Sequence, residues 1–342
     1  MKTIIVGAGQ AGLATAYYLQ KQQVPYIVLE GDKYIGSSWR RRYDSLTLFT
    51  PAQFSSLPGL EFPLPRRQLP QKDQFIRYLN QYTSKFKIPV QLNKPVQKIY
   101  RQKNNFILQT PAQEYRANQV VIATGPHRVP FRPRLPISAP DLKMLHSSEY
   151  KNPAQLPLGR VLVVGGANSA ADIASELSST HDVWLSRRSK LNFADLYIFQ
   201  RNVVWWSHKL GIMYLPTDSL AGKMLKSAGE PIFRKKLKHS INAGKIKLVP
   251  EVKNIHHDRV IFKDGNNKRF STVIWATGYT TDFSWIDIPE LFDQRHQPIH
   301  KKGISKVPGL YFMGMEWQRS RSSGLIAGAD RDARFITSHI LR

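Results

Sequence analysis

Residues 2–21, KTIIVGAGQAGLATAYYLQK, decide the fold. The apolar run that ends at Val6 breaks at GAGQAG, Gly7–Gly12, and apolar residues then recur at helical spacing. The stretch therefore reads as strand, tight turn and helix. In such a turn Gly7 permits the sharp reversal, Gly9 lets the backbone approach a pyrophosphate, and Gly12 lets the helix lie close against the strand. The helix N-terminus would face the phosphates with free N–H groups and the positive end of its dipole. The next apolar run, YIVLE, ends on Glu30, where the ribose hydroxyls of a dinucleotide would lie.

Farther along, the pattern recurs. RVLVV (Arg160–Val164) reads as a strand, GGANSA (Gly165–Ala170) as a glycine turn, ADIASELSS as a helix and DVWLSRR as the next strand. Each copy continues through a strand meander to a buried strand ending in Ala-Thr-Gly: Ala123, Thr124 and Gly125 in the first, Ala276, Thr277 and Gly278 in the second. Two copies in one chain are far more specific than either glycine turn alone. They predict an α/β fold with two Rossmann-like dinucleotide-binding domains.

The copies differ where nucleotide recognition is decided. Counting 23 residues from Gly7 reaches Glu30, and the same count from Gly165 reaches Arg188, beside Arg187. A carboxylate accepts hydrogen bonds from free ribose hydroxyls and repels a 2′-phosphate, whereas an arginine does the reverse. The first site should then take FAD or NAD, and the second NADPH, with NADH also open to it. The other reading of Arg187 and Arg188 is a solvated strand end in a basic protein. Ala167 stands where the second turn would have its pyrophosphate-facing glycine, which narrows the approach.

At 342 residues the chain is long enough for about two ordinary domains. No stretch approaches the roughly 18 uninterrupted apolar residues of a membrane span, and a strand starting at residue 2 leaves no room for a signal peptide. A cytoplasmic enzyme is expected. The absence of cysteine excludes a disulfide framework, thiolate-held metal and a redox dithiol; no metal site is expected. Fifty Lys+Arg against 24 Asp+Glu give a formal net charge of +26. That field would attract polyanions, anionic membranes or phosphorylated molecules, but no long basic block appears, and nucleic acid is not the expected partner. The densest clusters are Arg40–Arg42, Arg234–His239 and the Arg319–Arg321 segment.

Between the motifs, residues 31–59 are too irregular for one helix and should wrap something; QKDQFIRYLNQYTSKF, from Gln71, reads as a helix. The proline-rich stretch 126–140 is expected to be a stiff crossover holding no element. Residues 196–215, LYIFQRNVVWWSHKLGIMYL, could form a lid over an apolar pocket, a membrane-surface patch or ordinary core.

GAGQAG, WRRRYDSLTLFTPAQFSSLPG from Trp39, HSSEYKNP from His146, WATGY from Trp275 and GLYFMGMEWQRSRSSGLIAG from Gly309 together carry a resemblance. The chain is similar to the flavin-containing monooxygenase family, in its small bacterial CzcO-like branch and more distantly to YUCCA-like enzymes. The resemblance implies an FAD domain from residues 1–156 and 280–342, with an NADPH domain, 157–279, inserted. It places FAD on Gly7, Gly9, Gln10, Ala11, Gly12, Glu30, Trp39, Arg40, Leu46, Val96, Thr124 and Gly125. Gly314 and a helix start at Ser323, Gly324 and Leu325 would lie near the flavin ring. NADPH would lie on Gly165, Ala167, Asn168, Ser169, Ala170, Arg187, Arg188, Ala276, Thr277 and Gly278.

The implied activity is oxygen transfer from O2 to a small apolar substrate, a soft nucleophile or a ketone, by way of an oxygen adduct of the reduced flavin. A flavin NADPH oxidase or reductase is the alternative, and a basic dinucleotide-binding sensor the alternative of another class; a homodimer is open to it, the sequence leaving the oligomeric state undetermined. Two departures stand out. Pro140 and Leu142 replace the Phe and Gly of the family's F-x-G-x-x-x-H-x-x-x-Y signature, so His146 is read as positioning the linker and not as a catalyst. Phe49 falls where larger members carry an asparagine that donates to the flavin adduct, a contact Phe cannot make, and is the one flavin-adjacent candidate in the substrate pocket.

Overall fold

The computed structural model describes residues 2–341. Thr3–Val6, buried along its whole length, lies inside a seven-stranded sheet. Across that sheet the order is His300–Lys301, Ile304–Ser305, Leu310–Phe312, Gln119–Ile122, Thr3–Val6, Tyr26–Leu29 and Val90–Gln91. The last five are parallel. Strands buried on both faces read as continuous apolar runs, which is why TIIV and QVVI were legible. The helix Gln10–Lys21 connects Thr3–Val6 to Tyr26–Leu29, burying Ala11, Gly12, Leu13, Ala14, Ala16 and Leu19. The C-terminal helix Ala329–Ile340 returns onto it, where Tyr18 donates its hydroxyl proton to Asp330 and accepts from Arg334.

The second glycine turn sits in a separate, fully parallel sheet ordered Lys143–His146, Thr272–Trp275, Arg160–Val164, Asp182–Ser186, Ile246–Val249. Strand for strand, this matches the parallel part of the first sheet. Each parallel sheet also has a four-stranded companion. The first is Ile286–Asp287, Lys98–Gln102, Asn105–Gln109 and Glu114–Ala117; the second is Ile137–Ser138, Val252–His256, Arg259–Phe262 and Asn267–Arg269.

Two expectations need correction. Pairing draws Ile137–Ser138 and Lys143–His146 into the sheets of the second unit, upstream of the expected start at residue 157. The proline-rich stretch also holds elements: Val129–Pro130 pairs with Tyr279–Thr280, and Ile137–Ser138 with Ile255 and His256. Proline lacks an N–H but keeps an acceptor carbonyl, and its φ suits an extended edge.

Residues 31–70 wrap the helix Lys72–Lys85, whose capping box joins Gln71 to Gln74. Tyr78 and Tyr82 on its buried face donate to the carbonyls of Leu60 and Pro58, each at 2.7 Å, and so clamp the wrapping loop. Among the described residues no helix is long and apolar enough to cross a membrane.

Candidate functional site

At the first turn a Cβ on Gly12 would stand 1.9 Å from the Gly7 carbonyl oxygen, and one on Gly7, at φ 109°, 2.6 Å from the Ala123 oxygen. Side chains are excluded at both positions. Around Gly9 there is open space, no side chain caps the helix N-terminus, and no acidic residue occupies its first turn. The Glu30 carboxylate accepts the Ala8 amide at 2.7 Å and the Asp32 amide at 3.0 Å, which leaves two of its roughly four lone-pair directions for another donor. Trp39 donates its indole N–H to Gln10 at 3.3 Å, Thr124 lies against Gly7, and Gly314 against Ala11. An open helix start next to a carboxylate with unused acceptors fits the pyrophosphate and ribose of a dinucleotide.

Other members of the expected first set stand differently. Arg40 stacks on Tyr34, and Leu46 packs against the core of the second unit. Val96 is 5 % exposed and buried in the first unit's core, so only its backbone can face a ligand. Gly125, following Thr124, has open space where a side chain would be. The helix expected to begin at Ser323–Leu325 begins instead at Ala329, after two short 3-10 turns, because Leu325 is extended and breaks the hydrogen-bond ladder. Ser323 turns its hydroxyl inward to accept from the amides of Arg319 and Ser320, and Gly324 lies against Glu316.

The second turn repeats the geometry with larger residues. A Cβ on Gly165 would stand 2.3 Å from the Ala276 oxygen. Ala167 is extended, as Gly9 is, and precedes the uncapped helix Asn168–Leu177, which again has no acidic residue in its first turn. Ala170 is 1 % exposed and packs inward. The Asn168 side chain bonds Pro231 and Phe233, holding that segment beside the turn, with Ser169 half-buried next to it. Arg187 reaches the Ser189 carbonyl, and Arg188 is exposed; among the described residues neither forms an ion pair.

Side chains from both units join them, several not singled out from the sequence. Tyr43 donates to Asp172 at 2.7 Å, Asp172 pairs with Arg234 at 2.6 Å, and Arg234 donates to the Thr47 carbonyl at 2.9 Å. Burial pushes the Asp172 carboxyl up despite Arg234, and holds the Tyr43 phenol well above its ordinary value. Arg42 stacks on Tyr279 and donates to its hydroxyl at 3.0 Å. His146, fully buried, bonds the Gly278 carbonyl at 3.0 Å, and burial lowers its pKa; Tyr150 donates to Glu176. Thr277 donates to the Phe131 carbonyl across the same crossover. Phe49 sits against Phe233, and its carbonyl accepts the Asn202 amide at 3.1 Å. Tyr43 and Asp172 are 129 positions apart and Arg234 and Thr47 are 187, so no local spacing signals the network; the only trace was Arg42 and Arg234 lying in basic clusters.

Comparison with known proteins settles the lineage. A family model described as pyridine nucleotide-disulphide oxidoreductase matches residues 4–198, and one described as flavin-binding monooxygenase-like matches residues 197–302. An uncharacterized CzcO-like oxidoreductase of Geobacillus kaustophilus is 42 % identical, covering 99 % of this chain and 97 % of its own. The chain belongs to the flavin-containing monooxygenase family. It is an oxidoreductase and a flavoprotein of that family's CzcO-like branch. A probable indole-3-pyruvate monooxygenase, YUCCA1 of Arabidopsis thaliana, is 29 % identical over 91 % of this chain and 84 % of that protein. The fold matches a flavin-containing monooxygenase from Stenotrophomonas maltophilia with a TM-score of 0.82, at 23 % identity over 99 % of this chain and 98 % of the other. Without cysteine, the dithiol chemistry in the first family model's description is closed to this sequence.

Proposed function

We propose that the protein is an NADPH-driven monooxygenase that transfers one oxygen of O2 to a sulfide, an amine or a ketone. In this reading FAD lies on the first turn and NADPH on the second, with the nucleotide unit beginning upstream of 157 to include its two early strands. The observation that carries it is the contrast of Glu30 with Arg187 and Arg188 at equivalent places of one repeated architecture.

Bound FAD, reduced by NADPH, supplies the reaction with O2; the chain supplies binding, orientation and dryness. The open helix starts at Gly9 and Ala167 receive the pyrophosphates. Glu30 accepts the ribose hydroxyls and repels a 2′-phosphate, and Arg187 or Arg188 pairs with one. The Tyr43–Asp172–Arg234 network holds the segment carrying Phe49 against the second unit, keeping water from the cleft.

The test begins with colour: the purified chain should be yellow and release about one noncovalent FAD on heating, as expected for this cofactor class. NADPH consumption and peroxide release are then measured with and without a dialkyl sulfide. Sulfoxide formed in step with NADPH supports the reading; peroxide alone makes the chain an NADPH oxidase, and a colourless chain that cannot be reconstituted removes the scheme.

A further inference from the structure

Among the described residues, seven of the fourteen exposed large hydrophobic side chains fall within residues 197–224: Tyr197, Ile198, Phe199, Leu210, Ile212, Leu220 and Met224. Phe199 is 88 % exposed at the tip of the hairpin Tyr197–Ile198 and Arg201–Asn202. Both tip residues, Phe199 and Gln200, have left-handed φ, 47° and 57°, where such turns favour Asn and Gly. The backbone is thus strained to hold an aromatic ring in water, a conflict between local chemistry and fold of the kind found at functional sites.

The segment is anchored from behind. Leu196, Val204 and Met213 are buried, and Asn202 bonds the Phe49 carbonyl. Trp206 lies edge-on to Phe199 and donates to the Ile198 carbonyl at 2.9 Å. Next to it Trp205 is covered by Arg201. Leu220 and Met224 project from one side of the helix Leu220–Ser227, with Lys223 and Lys226 exposed beside them. Residues 197–245 hold nine Lys and Arg against Asp218 and Glu230; Arg234 is committed to Asp172 and Lys235 pairs with Asp195, which leaves Arg201, Lys209, Lys223, Lys226, Lys236, Lys238 and Lys245 to give the segment its basic character.

We infer that this face docks on an anionic lipid surface, with the Phe199 tip and the two tryptophans entering the headgroup layer and the lysines meeting lipid phosphates. Apolar residues on an anchored, basic surface are what interfacial attachment uses, tryptophan favouring the headgroup level. A second copy of the chain is a poor occupant: it carries the same formal +26 and would present the same basic rim. Nor does the face close over the protein's own cleft, because these side chains are exposed to solvent, whereas it is Asn202 of the same hairpin that bonds the Phe49 carbonyl. The attachment would bring lipid close to the hairpin that holds Phe49, and it does not depend on which oxygen acceptor the cleft uses.

The experiment is co-sedimentation of the full flavin-loaded chain with vesicles of phosphatidylcholine alone or mixed with phosphatidylglycerol. Binding is expected on the mixed vesicles only and should decline as salt is raised. Phe199→Asp should weaken it by about tenfold or more, and Lys223→Glu with Lys226→Glu should weaken it as well. Flavin content and circular dichroism report whether each variant is folded, and Leu220→Asp with Met224→Asp, on a different element, serves if the hairpin variant is not. Equal binding to neutral vesicles, or undiminished binding by both apolar variants, overturns the inference. A dimer in sedimentation velocity that Phe199→Asp converts to monomer also overturns it, since the occupant is then a second copy. So does a rise in substrate KM in that variant without change in vesicle binding, which would make the segment a lid.

Discussion

The two glycine turns share a strand order, a companion sheet and a tight contact between the turn glycine and an Ala-Thr-Gly carbonyl, yet they differ in how much side chain they admit. The first has no room at Gly12, where a Cβ would sit 1.9 Å from a backbone oxygen; the second accommodates Ala170 in the corresponding place. Architecture alone therefore does not dictate the third glycine. The helix-to-strand distance does, and the first unit has chosen the closer approach.

Gly12→Ala should have the largest effect. The added methyl overpacks a rigid backbone contact and should cost about 1–3 kcal/mol, lowering the thermal midpoint and the flavin retained per chain, whereas Ala170→Gly should cost about 1 kcal/mol or less. Equal losses in the two variants would break the comparison. Next come the strand ends: Arg187→Ala or Arg188→Ala should raise the NADPH KM about tenfold or more, from a lost contact of about 1.5–3 kcal/mol, and leave NADH kinetics nearly unchanged. Equal use of NADPH and NADH by the parent enzyme would erase the contrast with Glu30.

Phe49 tests the cleft between the units. Its neighbour Asn202 donates one amide N–H to the Phe49 carbonyl at 3.1 Å, which ties that donor to the backbone. Phe49→Asn should slow peroxide release about fivefold, the effect of one hydrogen bond of about 1 kcal/mol, and so reduce peroxide yield per NADPH by up to that factor; an unchanged yield would show that Phe49 only packs. The smallest effect concerns His146. Burial lowers its pKa below the ordinary 6.5, so the folded state favours the neutral ring. That contribution is complete above pH 6.5 and is lost as pH falls through the lowered value. The thermal midpoint of the parent should therefore decline below pH 6.5 more steeply than that of His146→Gln, and parallel profiles would remove this role.

Both glycine turns, their helices, the meanders and the Ala-Thr-Gly strands were legible because period and punctuation are local. Lys143–His146 was not, since KMLH is too short to show a period and lies before its glycine turn, whereas its counterpart Leu310–Phe312 comes after. Ile137–Ser138 was hidden among prolines that happen to suit an edge. Around the first turn Gly7 and Gly12 exclude side chains, Glu30 accepts the Ala8 amide, Trp39 donates to Gln10 and Gly314 lies against Ala11, a grouping that supports the proposed FAD site. The Asn168 and Ser323 side chains bond the protein itself, which no local spacing shows, and Tyr43, Asp172 and Arg234 meet only once the chain has folded.

The order of strands also bears on how the chain folds as it leaves the ribosome. The second parallel sheet is complete once Thr272–Trp275 has emerged, and all its strands come from one continuous stretch of chain. The first cannot close until Leu310–Phe312 arrives, and its leading helix stays uncovered until Ala329–Ile340 follows. Residues 2–122 therefore spend most of synthesis with apolar faces exposed, and the inserted middle is the part able to fold first, against the usual N-to-C sequence of domain folding.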